Sequence, residues 1–212
     1  IPGFNINEAT DILLKRDFDK YREIGEPHPF LVAKGRDFLI PFSHEHFELW
    51  TQSLHFGAKD RLNFVDPKTN LKVGGGLDDV WLNINTNCLH IVDYKSTSQK
   101  SDKGPITLDD PWKASYKRQM DLYVWVLRKK GFHVDDVGYF LYCDGDRFSD
   151  YDFLSSTAAS MNFKITLIDY KTNDTWIEPT LQDISECLNE SKRPQHSDYC
   201  EYGKFLTQSL NH

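Results

Sequence analysis

No apolar run in the sequence approaches the ~20 residues that a membrane-spanning helix needs, so no membrane segment is expected. Cysteine is sparse. The four, at 88, 143, 187 and 200, include no Cys-x-x-Cys pair. That argues against a disulfide framework and for the reduced thiols of a cytoplasmic protein. There is no internal repeat, no low-complexity segment and no secretory leader pattern at the N-terminus, although the chain opens at Ile1, a start that reads as trimmed. Gly74 to Gly76 lack the context of a dinucleotide fingerprint or a P-loop; a bulge or a close backbone approach is expected there instead. Positive charge is also short. Lys and Arg number 25 against 32 Asp and Glu, a net charge of −7. This weighs against broad, non-specific nucleic-acid binding, but a local basic patch or a bound metal can outweigh the total.

What is present is an ordinary globular composition: 212 residues, 39% hydrophobic and 27% charged, enough for one α/β domain with a real core. A helical pattern covers 5–24, with Gly25 as its stop. Residues 25–42 read as loop with a short strand. Ser43 is expected to cap a helix over about 44–56. A strand at Leu62–Val65 precedes a turn at 66–70. Two apolar, alternating segments between Val73 and Lys95 flank a polar turn and read as a hairpin. A polar loop at 96–111 leads to the strongest helix, about 112–130, closed by Gly131. Strands are expected at 137–143 and 163–170, and a helix at about 179–190.

The hairpin carries the chemistry. Side chains alternate along a strand, so Asp93 and Lys95 share a face while Tyr94 takes the other. Asp78 or Asp79, on the first arm, can reach the same edge. Two carboxylates and a lysine converging there can hold a divalent cation and activate water. Each residue also has a plainer reading: a lysine at a strand end is often solvated, and helix residues such as Gln119 and Tyr123 often only pack against a sheet.

The ordered set of motifs resembles the PD-(D/E)xK nuclease superfamily, and more closely its RecB-like branch. Gly75-Gly76-Leu77-Asp78-Asp79-Val80 matches the first motif in a register that selects Asp78 as the metal ligand. Ile91-Val92-Asp93-Tyr94-Lys95-Ser96 matches the second. Gln119-Met120-Asp121-Leu122-Tyr123 matches the Gln-x-x-x-Tyr that follows on a helix. The resemblance implies an α/β fold with a restriction-endonuclease-like core, a central mixed sheet flanked by helices. It implies one domain over 1–212, with a helical part at about 1–57, a catalytic core at about 58–145 and a C-terminal strand and helix at about 160–212. It implies an Mg²⁺-dependent deoxyribonuclease (Mn²⁺ able to substitute) acting in DNA repair, recombination or defence. Asp78, Asp93 and the backbone carbonyl of Tyr94 would hold the metal. Lys95 would position the attacking water or stabilise the transition state, and Gln119 would hydrogen-bond the water or a ligand. Tyr123 would orient Gln119 or touch phosphate.

Relatives of this branch add a histidine ahead of the first acidic motif. His46 is the preferred candidate here, with His44 as the alternative and His55 behind both. Some, including CRISPR-adaptation nucleases, hold an iron–sulfur cluster on four cysteines; the corresponding tail, 194–202, keeps only Cys200, and Leu13 to Phe18 keep none. No cluster is expected. Lys113, Lys117 and Arg118 are the candidate DNA contacts, with Lys100 and Lys103 before them, and Trp112 can either stack a single-stranded base or anchor the helix start. DNA is the expected substrate. The acidic charge suggests a protein partner or larger assembly that supplies DNA affinity. The rival expectation is a non-catalytic nucleic-acid-binding module on the same fold.

Overall fold

The computed structural model describes residues 5–52, 61–99, 104–148, 150–192 and 194–210. Helix α1 (Asn5–Ile24) ends at Gly25, whose φ of 68° closes the last turn in the left-handed conformation that glycine adopts without strain. A short α2 (Pro29–Ala33) follows. There the His28 side chain accepts from the Phe30 amide at 3.0 Å and Pro29 fills the first turn, where no amide donor is needed. Then come β1 (Leu39–Pro41), α3 (Phe47–Trp50), β2 (Asn63–Val65), β3 (Lys72–Gly74), β4 (Asp79–Asn83), β5 (Cys88–Thr97) and a single 3₁₀ turn at Pro111–Lys113. The chain continues through α4 (Ala114–Lys129), β6 (Val137–Gly145), β7 (Phe163–Lys171), α5 (Ile177–Asn189) and α6 (Glu201–Leu210).

Five strands form one mixed sheet in the order β1-β4-β5-β6-β7. β4 and β5 pair antiparallel with Asp79 opposite Val92, and β5 and β6 pair parallel with Lys95 opposite Tyr142. Parallel neighbours need a crossover, which α4 supplies. Strand alternation divides the core into two layers. Val80, Ile91, Phe140 and Tyr142 face α4, where they meet Met120, Tyr123, Val124 and Leu127. Trp81, Val92, Tyr94 and Leu141 face the other way and pack with Phe18 of α1. Asp121 ties α4 to the segment after β7. It accepts from the Asn173 amide at 3.0 Å and from Trp176 Nε1 at 3.1 Å. The architecture is an α/β mixed sheet flanked by helices, as the resemblance implied. No helix among the described residues is long and apolar enough to cross a membrane.

Several local expectations are corrected. The hairpin is shorter than Val73–Lys95: its arms are β4 and β5, while Val73 and Gly74 pair with β2 in a separate ribbon. Gly74 is needed there, because a Cβ would lie 2.1 Å from the Leu62 carbonyl oxygen. The helix expected over 44–56 has four residues among those described. His46, not Ser43, precedes it, because the His44 ring stacks on Trp50 at 4.5 Å and its Nδ1 accepts from the His46 amide. Residues 53–56 lie outside the described residues. The tail, given no element from the sequence, contains α6.

Candidate active site

Three elements bring the predicted residues together. The β4–β5 register places Asp78, immediately before β4, beside the middle of β5. Asp78 Oδ2 accepts from the Tyr94 amide at 2.7 Å. In an extended strand the N–H and C=O of one residue point to the same side. The Tyr94 carbonyl therefore faces the same gap, where Lys95 Nζ donates to it at 3.3 Å. Asp93 and Lys95 share a face, as alternation required, and their charged ends are in ion-pair contact. Beyond this ion pair, the buried Asp93 Oδ2 meets no other hydrogen-bond donor among the described residues. Lys95 Nζ also lies 4.6 Å over the Tyr116 ring of α4.

Asp79 does different work from its neighbour. It is fully buried, and its oxygens accept from Arg22 Nη2 at 2.5 Å, the Val80 amide at 2.7 Å, Tyr94 Oη at 2.7 Å and Trp81 Nε1 at 3.2 Å. Every lone-pair direction is used, which leaves Asp78 as the carboxylate of this pair that lines the cleft.

α4 closes the other side. Tyr123 Oη donates to the Gly76 carbonyl at 2.6 Å, and Gln119 Nε2 donates to Tyr123 Oη at 3.0 Å. Tyr123 thus anchors the backbone just ahead of Asp78. Gly75 makes this approach possible, since a Cβ there would sit 2.7 Å from the Tyr123 ring.

Sequence reasoning missed Asp11. A small cleft of about 160 Å³ is lined by Asp11, Lys15, Thr51, Leu77, Asp78 and Tyr94, so α1 brings a third carboxylate to the edge where Asp78 sits. Asp11 Oδ1 is buried without a hydrogen-bond partner. The signal was in the pattern: Asp11 falls on the stripe of Leu14 and Phe18, at i, i+3 and i+7, and an acid on the packed stripe of a helix needs a reason.

The electrostatics follow from crowding acids away from water. Burial, and then the neighbouring Asp93, push Asp78 up to about 7, against the opposing pull of Lys95. Burial, then Asp78, raise Asp11 to about 6. Asp93 is raised by burial, with Lys95 opposing. Like charges in one desolvated place favour protonation, and a cation reverses that preference. Crowded carboxylate oxygens, a carbonyl whose contact from Lys95 is a long 3.3 Å, and this shared reluctance to ionise fit a hard divalent ion that takes oxygen ligands and keeps several waters. Among the described residues, no three His, Cys, Asp or Glu side chains are placed together closely enough to hold a metal ion. The oxygens gathered here are those of Asp78, Asp93 and the Tyr94 carbonyl, with Asp11 beside them.

Other sequence candidates fall elsewhere. Neither His46 nor His44 lines the cleft of Asp11 and Asp78. His44 is held between Trp50 and Phe132, at 4.5 and 5.4 Å, and His46 is exposed beside Glu45. Aromatic stacking accounts for the placing of the His44 ring. His55, Lys100 and Lys103 lie outside the described residues. Lys113 is not a phosphate contact: its ammonium is buried, donates to the Thr107 carbonyl at 2.6 Å and pairs with Asp110 at 3.0 Å, which fixes the turn before α4. Lys117 is half-buried and Arg118 exposed on α4.

A mixed sheet with an α4 crossover, two acids and a lysine at the β4–β5 edge defines a nuclease-type core. A family model described as the PD-(D/E)XK nuclease superfamily matches residues 22–204. The chain belongs to that superfamily. The match begins after Asp11. No curated protein and no solved structure matches the chain.

Proposed function

We propose that the chain is a metal-dependent deoxyribonuclease of the RecB-like kind, hydrolysing phosphodiester bonds, and that Asp78, Asp93 and the Tyr94 carbonyl hold Mg²⁺, or Mn²⁺ in its place. The observation that carries this reading is the part-buried pairing of Asp78 with the Tyr94 amide beside an Asp93–Lys95 pair. When bound, the ion supplies a water of lowered pKa and neutralises charge on the phosphate. The protein supplies the rest. Lys95, held against Tyr116 and the Tyr94 carbonyl, donates to the attacking water or to the charge that develops on phosphorus-bound oxygen. Tyr123 and Gln119 fix the loop of Asp78 and act as positioning residues. Arg118 and Lys117 lie on the outer surface of α4 as phosphate contacts. The acidic charge favours a protein partner within a repair, recombination or defence assembly.

The direct test is incubation with linear duplex and single-stranded DNA in Mg²⁺, Mn²⁺ or EDTA. Cleavage that needs metal supports the reading; binding without cleavage points to a nucleic-acid-binding module and counts against it.

Asp11 faces the two ligands and is proposed to complete the site directly or through a water. Asp11→Asn is expected to lower cleavage by about tenfold or more, with a raised metal requirement. Unchanged activity across a metal titration would remove Asp11 from the site.

A pH prediction follows from the same acids. A carboxyl whose pKa is raised on folding favours the folded state while it is protonated there. That contribution is complete below about pH 4 and is lost as pH rises through about 6 and 7. His28 and His44, pushed down by burial, act in the opposite sense on the acid side. The quantity to measure is therefore the difference in melting temperature between the metal-free protein and Asp78→Asn. Wild type should lose ground to the variant between about pH 5 and pH 8, by roughly 5–10 °C. Mg²⁺ should restore wild type at the upper pH and do little at the lower, because the ligands must be deprotonated. Parallel curves would contradict the assignment.

A further inference from the structure

We propose that the cavity beyond the C-terminal end of β5 is a nucleobase subsite that seats one unpaired base of the DNA strand whose phosphate lies at the acid site. This deepens the nuclease reading and rests on it. The cavity holds about 560 Å³ and is lined by Ser98, Ile106, Trp112, Lys113, Tyr142 and Arg147, among others, a size in the range of small-molecule pockets.

Three observations point to a flat, hydrogen-bonding aromatic guest. Trp112 leaves 60% of its surface exposed at the rim, and its ring is braced edge-on by Tyr116 at 5.5 Å. A large, fixed, exposed aromatic is a stacking platform for a base of any identity. Tyr142 is 98% buried, yet its hydroxyl has no hydrogen-bond partner among the described residues. A hydroxyl so placed is costly unless something supplies a partner, and a base edge offers both donors and acceptors. The locked ammonium of Lys113 lies 5.1 Å from the Trp112 ring and 5.6 Å from that of Tyr142. It spaces the two aromatics, which gives the buried lysine a role that its lost phosphate contact did not.

The cavity also adjoins the chemistry. Tyr142 is the cross-strand partner of Lys95 in the parallel β5–β6 pair, so the two side chains rise from one face about 5 Å apart. Tyr116 touches Lys95 on one side and Trp112 on the other. A strand with its phosphate at Lys95 therefore has its neighbouring base over Tyr116 and into the cavity. Arg147, exposed at the rim, can meet the next phosphate. Reading a base by its face requires that it be unpaired, so the subsite predicts preference for single-stranded or frayed DNA.

The test is binding in EDTA, where cleavage is off. A fluorescent oligothymidylate is compared with an abasic strand of equal length and charge, for wild type, Trp112→Ala and Tyr142→Phe. Wild type should bind the base-bearing strand about tenfold more tightly, Trp112→Ala should erase that difference, and Tyr142→Phe should reduce it about threefold. Trp112 is exposed and phenylalanine keeps the Tyr142 ring, so both variants should fold, as circular dichroism would check. Equal binding of both strands by wild type, no measurable binding of either, or a preference that survives Trp112→Ala would each overturn the subsite. Free thymidine monophosphate should compete weakly; competition equal to the strand would assign the cavity to a free nucleotide and overturn the proposal. Cleavage of duplex DNA in Mg²⁺ is read in parallel. Cleavage without base preference removes the subsite alone. Base preference without cleavage under any metal removes the nuclease reading and leaves a strand-binding site.

Discussion

Replacing Lys95 by alanine is expected to lower DNA cleavage by about 10²–10³-fold, and Asp93→Asn to abolish it, with the fold intact in both. Lys95 stands at the end of β5 with most of its side chain covered, in contact with Asp93, the Tyr94 carbonyl and the Tyr116 ring. Two of these contacts lie within β5 itself, and the third, to Tyr116, adds little to the apolar packing that already seats α4 on the sheet, so their loss costs little stability. Their loss does remove the cation that contacts Asp93 and pulls against the raised pKa of Asp78. If Lys95 acts in the transition state, kcat and kcat/KM should fall together; if it only holds substrate, KM should rise with kcat kept. Asp93→Asn keeps shape and hydrogen-bonding reach but removes the charge a divalent ion needs. Full activity in either variant would sink the mechanism.

Replacing Arg22 by methionine is expected to destabilise the fold by about 3–5 kcal/mol, because it leaves Asp79 charged and buried without its cation. Arg22 makes four attachments: Asp79 at 2.5 Å, Asp19 at 2.9 Å, the Phe42 carbonyl at 2.5 Å, and the face of Phe47, whose centroid is 3.9 Å from the guanidinium carbon. It thereby joins α1, the end of β1, α3 and β4. A loss of that size corresponds to roughly 10 °C or more in melting temperature for a chain of this length. The double variant Arg22→Met/Asp79→Asn should recover part of it, since no unpaired charge remains, and the non-additivity measures the pair. A thermal shift of only a degree or two in the single variant would show that water reaches Asp79. Activity should fall as well, because Asp79 is covalently next to Asp78 and fixes where it points.

How much of this was legible beforehand depends on the range of the interaction. α1 and α4 were visible because their apolar stripes and closing glycines are local; Gly25 and Gly131 both take positive φ where the sequence placed a stop. The placing of Asp93 with Lys95 on one face needed only strand alternation. Asp78 separated from Asp79 by motif register, and the structure supplies the physical reason: Asp79 spends its oxygens on Arg22, Tyr94 and Trp81. What could not be read is what distant segments decide. Val73 looked continuous with the hairpin, but the close approach of Gly74 to Leu62 assigns it to a second ribbon. The histidines looked like ligands by position, yet Trp50 and Phe132 claim His44. Lys113 looked like a surface cation, but the Thr107 carbonyl and Asp110 draw it inward. Asp11 was one charged residue among many on α1 until the sheet brought it to Asp78.

The account turns on whether these acids hold a divalent ion. The most direct measurement is Mn²⁺ binding followed by electron paramagnetic resonance, on wild type, Asp78→Asn, Asp93→Asn and Asp79→Asn. The account predicts that wild type immobilises the ion, that Asp78→Asn and Asp93→Asn each lose it, and that Asp79→Asn keeps it wherever the variant remains folded. Wild-type protein that cleaves DNA with no bound Mn²⁺, or binding that survives loss of both Asp78 and Asp93, would contradict it.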